Sequence, residues 1–158
     1  MQTFITELDW AISARRLDPK RLNKQILEAG QIFATLVPEH YRIVFPNGNG
    51  PSKAWTNHPA VKMWKGSELW LLDYLMKHAL VQRERTRNMH VVGKRVDEAD
   101  ILWSSASVGS VFPTWTTDEA FLNSHRSKLL RKDRQFYAKY GWNVPDNLPY
   151  VWPKGATE

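Results

Sequence analysis

The chain has 158 residues, enough for one domain with a buried core, and its 22 Lys and Arg against 16 Asp and Glu give a net charge of +6. Hydrophobic residues make up 42% and charged residues 24%, an ordinary globular balance, with no apolar run long enough for a membrane span. The absence of cysteine excludes disulfides, thiolate metal sites and a cysteine nucleophile and suits a reducing cytoplasm, while the basic balance favours a polyanionic partner such as nucleic acid.

Met1 to Thr6 reads as a short extended segment that sets the α-amino group at the start of ordered structure. MQTFITELDW has neither the basic nor the long apolar region of a secretory signal, so none is expected. Asp9 caps a brief helix, DWAISARRL, that carries Arg15 and Arg16. The next stretch, LDPKRLNKQILEAGQIFATLV (17–37), is the central helix, with Asp18 as N-cap, Pro19 in the first helical position and Pro38 as its stop. At about 100° per residue, Leu22, Ile26, Ala29, Phe33, Leu36 and Val37 share one side as a core-facing stripe. Arg21, Lys24, Gln25 and Glu28 share another, narrower arc. Periodicity alone reads that arc as a solvated face with an ordinary Lys24–Glu28 pair.

After a short HYRIVF segment, PNGNGPSK reads as an exposed loop; its Gly-Asn-Gly lacks the strand and helix context of a phosphate loop. A helical region then runs from Thr56 through QRERTR, with Thr56 or Asn57 as cap, Pro59 in the first turn and a break near Gly66. Residues 97–106 predict another short helix. Thr117, with Asp118 and Glu119, marks the start of a second basic helix, in which Arg126, Lys128, Arg131, Lys132 and Arg134 surround two leucines. The C-terminal VPDNLPYVWP reads as an extended strap laid over the core. The expected fold is a mainly helical single domain over 1–158 with a long central helix and that strap. Trp64 and Trp70 belong in its core, and Tyr150 and Trp152 at a groove edge.

Five histidines stand at 40, 58, 78, 90 and 125, with no i, i+4 pair and no HExxH, so no metal is expected. Ser124 and His125 lack a nucleophile-elbow context, which argues against a hydrolytic triad. His58, before Pro59, satisfies a helix start or faces a ligand. His125, beside Arg126, sits in the densest basic segment.

Three blocks, LDPKRLNKQILEAGQI (17–32), NHPAVKMWKGSELWLL (57–72) and SHRSKLLRKDRQFYAKYGWNVPDNLPYVWP (124–153), resemble the pyrimidine-dimer DNA glycosylase family of the endonuclease V type, in its broader bacterial and viral branch. The resemblance implies an all-α monomer in the cytoplasm that binds double-stranded DNA. It implies glycosylase and abasic-site lyase chemistry on damaged or modified pyrimidines, through an amine–imine intermediate and with no cofactor. In that family the N-terminal α-amine attacks the deoxyribose C1′, a glutamate on the main helix assists, and arginines hold phosphates. Arg21 matches the helix arginine. Two positions depart from the pattern. Gln2 leaves the amine on Met1, and Leu22 stands where the glutamate should follow the arginine, so its role passes by helix face to Glu28. The catalytic candidates are therefore Met1, Arg21 and Glu28, with Lys24 as an alternative amine. The DNA-contacting candidates are Arg15, Arg16, Lys24, Gln25, His58, His125, Arg126, Lys128, Arg131 and Lys132. Two other readings compete: a base-modifying or base-transfer enzyme on the same fold, and a non-catalytic DNA-binding module.

Overall fold

Asp9 and Asp18 start the helices that the sequence marks for them, whereas the second basic helix, expected to start at Thr117, is capped by Asp118. In the computed structural model, which describes residues 1–48, 50, 55–88 and 108–157, Asp9 accepts the Ala11 and Ile12 N–H groups and opens α1 (Trp10–Arg16). Asp18 accepts the Arg21 N–H and opens α2 (Pro19–Leu36). There follow α3 (Tyr41–Val44), α4 (Pro59–Lys62) and α5 (Glu68–Thr86). Asp118 accepts the Ala120 N–H and opens α6 (Glu119–Lys132), and Asp133 caps α7 (Arg134–Tyr137). Among the described residues there is no strand, and the fold is all-α. The helix expected over 97–106 lies outside the described residues.

The cap of α4 is His58 instead of Thr56 or Asn57: its Nδ1 accepts the Ala60 N–H at 3.0 Å. The break near Gly66 is present, because Gly66 takes a φ of +84°, which residues with a Cβ adopt only under strain. Helix α5 starts two residues later.

Helices α2 and α5 form the main packing pair, and α1 lies on α5. Ile26, Ala29 and Phe33 of α2 bury against a core that includes Leu69, Leu72 and Leu75 of α5. Fully burying each such large side chain contributes about 1.5–3 kcal/mol. Trp64 is fully buried, as expected. Trp10 is the aromatic hub, edge-on to Trp64, Trp70 and Tyr74. Trp70 is only half-buried, because its indole N–H reaches the Ser110 carbonyl at the rim of the core. A smaller cluster joins Phe4, Leu17 and Leu22 to Leu129, Leu130 and Tyr137.

Between these helices runs the extended N-terminal segment, with Thr3 to Thr6 buried. Side chains from three helices and from the turn between α4 and α5 satisfy its polar groups. Gln25 of α2 accepts the Phe4 N–H at 2.6 Å, His125 of α6 the Ile5 N–H at 2.9 Å and Ser13 of α1 the Thr6 N–H at 2.9 Å. The Trp64 indole N–H donates to the Thr3 hydroxyl at 3.0 Å. These bonds satisfy the buried backbone N–H groups of Phe4, Ile5 and Thr6 and define the register of the segment.

His78 and His125 are both fully buried, and burial pushes each pKa down to about 3. Both values lie below the unfolded reference near 6.5, so between those limits the unfolded chain binds more protons than the native one. Stability is therefore full above about pH 6.5 and falls as the pH drops, by roughly 1 kcal/mol per pH unit for each ring. Denaturant midpoints at pH 7, 5.5 and 4.5 should step downward. A flat series would mean that the rings are protonated in the fold.

Candidate functional site

The N-terminal segment lies along the polar arc of α2 and covers its Gln25 and Glu28, while Lys24 stays exposed. Glu28 is 8% exposed and Gln25 1% exposed, which overturns the solvated-face reading. Arg21, Lys24, Gln25 and Glu28 instead line a cavity of about 330 Å³ together with Met1, Gln2, Phe4, Lys20 and Lys132.

Within it the Met1 α-amine stands 3.8 Å from Glu28 Oε1, the same oxygen that the Lys24 ammonium approaches at 3.8 Å. The other oxygen, Oε2, accepts the Gln2 N–H at 3.2 Å and the Gln25 amide N–H at 3.3 Å. Gln25 is itself fixed: its Oε1 takes the Phe4 N–H and lies 3.0 Å from the Tyr74 hydroxyl. The carboxylate is thus oriented by backbone and amide on one side and faces two amines on the other.

Arg21 is held from below. Its guanidinium donates to Asp18 at 2.6 Å, lies 4.0 Å from Asp133 and sits over the Tyr137 ring. Burial would push the Asp18 carboxyl up, but hydrogen bonds from Tyr137 and Arg21 outweigh it and hold the group below the usual carboxylate range. Lys132 completes the rim; desolvation and the nearby charges of Arg21, Lys128 and Lys24 push its pKa down. Cations crowded in this way favour a polyanion over simple solvation.

The other expected contact residues divide. Lys128 is half-buried beside Lys132. Arg15 pairs with Glu84, and Arg16 pairs with Glu7 and covers the Tyr140 ring. Arg126 is committed to the Thr6 carbonyl, Glu119 and Glu7. Arg131 donates to the Asp146 and Leu148 carbonyls and clamps the strap onto α6.

Three assignments change. His125 is not at the surface; it is fully buried and accepts a backbone N–H. Its spacing from Phe121 and Leu129, four residues either way, was the signal that it shares their buried face. Gln25 orients Glu28 from the cavity floor. His58 caps α4, half-buried against Trp55 and Trp152, and burial and the Met1 ammonium push its pKa down. Sequence reasoning missed Lys20, which lines the cavity, and Tyr74, which supports Gln25. Among the described residues no group of three His, Cys, Asp or Glu side chains gathers as metal ligands would, and no helix is long and apolar enough to cross a membrane.

A family model described as pyrimidine dimer DNA glycosylase matches residues 1–92, which include the N-terminal segment, α1 to α5 and all the cavity residues except Lys132. The block at 124–153 lies beyond the matched span. No curated protein and no solved structure matches the chain.

Proposed function

Because the chain belongs to the pyrimidine dimer DNA glycosylase family, we propose that it excises damaged or modified pyrimidines from duplex DNA and cleaves the resulting abasic site, with the Met1 α-amine as nucleophile. The observation that carries this reading is the α-amine beside an oriented carboxylate, 3.8 Å from Glu28 Oε1, in a cation-rimmed cavity.

The placement of Met1 and Glu28 supports the following steps. The lone pair of the neutral amine attacks C1′, the glycosidic bond breaks, and the base leaves with the bonding pair and takes up a proton. Glu28 stabilises the developing positive charge on the sugar and accepts a proton from the new ammonium. The nitrogen lone pair then expels O4′, which takes the proton back from Glu28, and the open-chain sugar is left as the protonated imine. Loss of a C2′ proton then expels the 3′-phosphate, and water returns the free amine. Arg21, Lys24 and Lys132 suit the flanking phosphates.

The test is intact mass after borohydride treatment with a panel of lesion-bearing and abasic duplexes. One adduct per chain, mapped to Met1 and lost after N-terminal acetylation, is expected. An adduct on Lys24 would move the nucleophile. Salt-sensitive binding without any adduct would leave a DNA-binding module.

The rim makes a separate prediction. Lys132→Gln should weaken duplex binding similarly across sequences and flatten the plot of log Kd against log salt by about 1. Arg131→Gln should leave that slope unchanged and lower the melting temperature, because Arg131 holds the strap. Anisotropy titrations at several salt concentrations separate the two, and a flattened slope for Arg131→Gln would return it to the phosphate surface.

A further inference from the structure

We infer that His125, the buried imidazole of α6, is a positioning residue for the amine chemistry, setting the depth of Met1 in the cavity through the backbone of Ile5. The inference rests on the reading of Met1 as the reacting amine.

The Ile5 N–H donates to His125 Nδ1 at 2.9 Å. Only a neutral ring protonated at Nε2 can accept there, and burial keeps the ring neutral through the working pH range, its pKa near 3. The ring has little freedom. Phe121 lies against it at 4.1 Å between centroids, Tyr150 of the strap stacks on it at 4.8 Å and 21°, and Phe4 meets it edge-on. Tyr150 is held in turn by the strap, where the Leu148 N–H reaches Ser127 and two carbonyls receive Arg131. The Gln2 amide faces the Tyr150 phenol without closing a well-formed hydrogen bond.

An extended chain advances about 3.3 Å per residue, so a one-residue slip at Ile5 would carry the α-amine out of reach of Glu28. His125 Nε2 has no hydrogen-bond partner, so the outer nitrogen contributes no bond of its own. The consequence of the ring's placement is felt at Nδ1 and, through it, at the amine. A misplacement of about 1 Å in a reacting group commonly costs on the order of 10²-fold in rate.

His125→Phe keeps a ring between Phe121 and Tyr150 but removes the acceptor, whereas His125→Asn places an amide oxygen close to the Nδ1 position. The first measurement is pulse acetylation of the α-amine in the DNA-free protein, mapped by mass. His125→Phe should label about tenfold or more faster than wild type, and His125→Asn should stay close to wild type. The second is single-turnover borohydride trapping on an abasic duplex. There His125→Phe should fall on the order of 10²-fold with its duplex Kd little changed, and His125→Asn should recover most of the rate. Wild-type labelling and trapping rates in His125→Phe would overturn the inference. A wild-type chain that traps nothing would sink the amine reading, while the labelling rates would still decide whether His125 holds Met1. Should His125→Phe fail to fold, Tyr150→Leu, which removes the ring stacked on His125, serves in the same labelling test, read against Tyr150→Phe, which keeps that ring and removes only the phenol facing Gln2. Faster labelling supports the inference and unchanged labelling defeats it.

Discussion

Glu28→Gln should lower base release and imine trapping by roughly 10²–10⁴-fold, the usual cost of losing a positioned general acid/base, with duplex affinity nearly unchanged or slightly tighter. In the native site Oε2 takes the Gln2 and Gln25 N–H groups while Oε1 faces the Met1 and Lys24 amines. A glutamine has one oxygen. If it stays with Gln2 and Gln25, its NH₂ points at two amines and can neither accept a proton nor stabilise a cationic sugar. The cavity also loses its negative charge while keeping Lys20, Arg21, Lys24 and Lys132, which favours phosphates. Single-turnover excision together with anisotropy at fixed salt separates the two effects. A variant within tenfold of wild type would make Glu28 a counter-ion for Met1 and require a base elsewhere.

Asp18→Ala should produce the largest loss of stability among the site's supporting residues, about 3–5 kcal/mol, because it strands a partly buried cation. Three groups converge on this 7%-exposed carboxylate: the Arg21 N–H, the Arg21 guanidinium and the Tyr137 hydroxyl. The helix cap accounts for about 1 kcal/mol of that loss. For a chain of this length, each kcal/mol shifts the melting temperature by about 2–4 °C, so a drop on the order of 10 °C is expected in calorimetry. Asp18→Asn should fall between, since an amide can still cap α2. The sign of the pH effect follows from the lowered pKa. The contribution of Asp18 is present above its unfolded value near 3.8 and is lost as the pH falls through the lower native value. The histidine window runs from about 6.5 down to about 3 and so overlaps that of Asp18 at its acid end; the histidine effect is read alone above about pH 5. A melting temperature unchanged in Asp18→Ala would mean that Arg21 and Tyr137 find other partners, and the start of α2 would not need its carboxylate.

The sequence by itself determined the features that depend on neighbours along the chain. Asp9, Asp18 and Asp118 each precede a helix because a short acidic side chain satisfies the free N–H groups of the first turn, a local interaction. The 3.6-residue period separated Leu22, Ile26, Ala29 and Phe33 from Arg21, Lys24, Gln25 and Glu28, and the structure keeps that division. The motif blocks were enough to indicate the family and with it the all-α class, while periodicity and helix signals gave a mainly helical domain.

Only the tertiary structure decided what covers the polar arc. Glu28 in a solvated face and Glu28 beside an α-amine have the same local sequence; the difference lies in where residues 1–6 run. Those residues have too few side chains to show a period. Their backbone partners, Gln25, Ser13 and His125, lie 21, 7 and 120 positions away, and no local pattern records a bond across such separations. The same reason gives Arg126 the Thr6 carbonyl and Arg131 the carbonyls of the strap as partners. A guanidinium has five donors and reaches whatever carbonyl the fold brings near it, so charge density along a helix marks its basic character but not its partner.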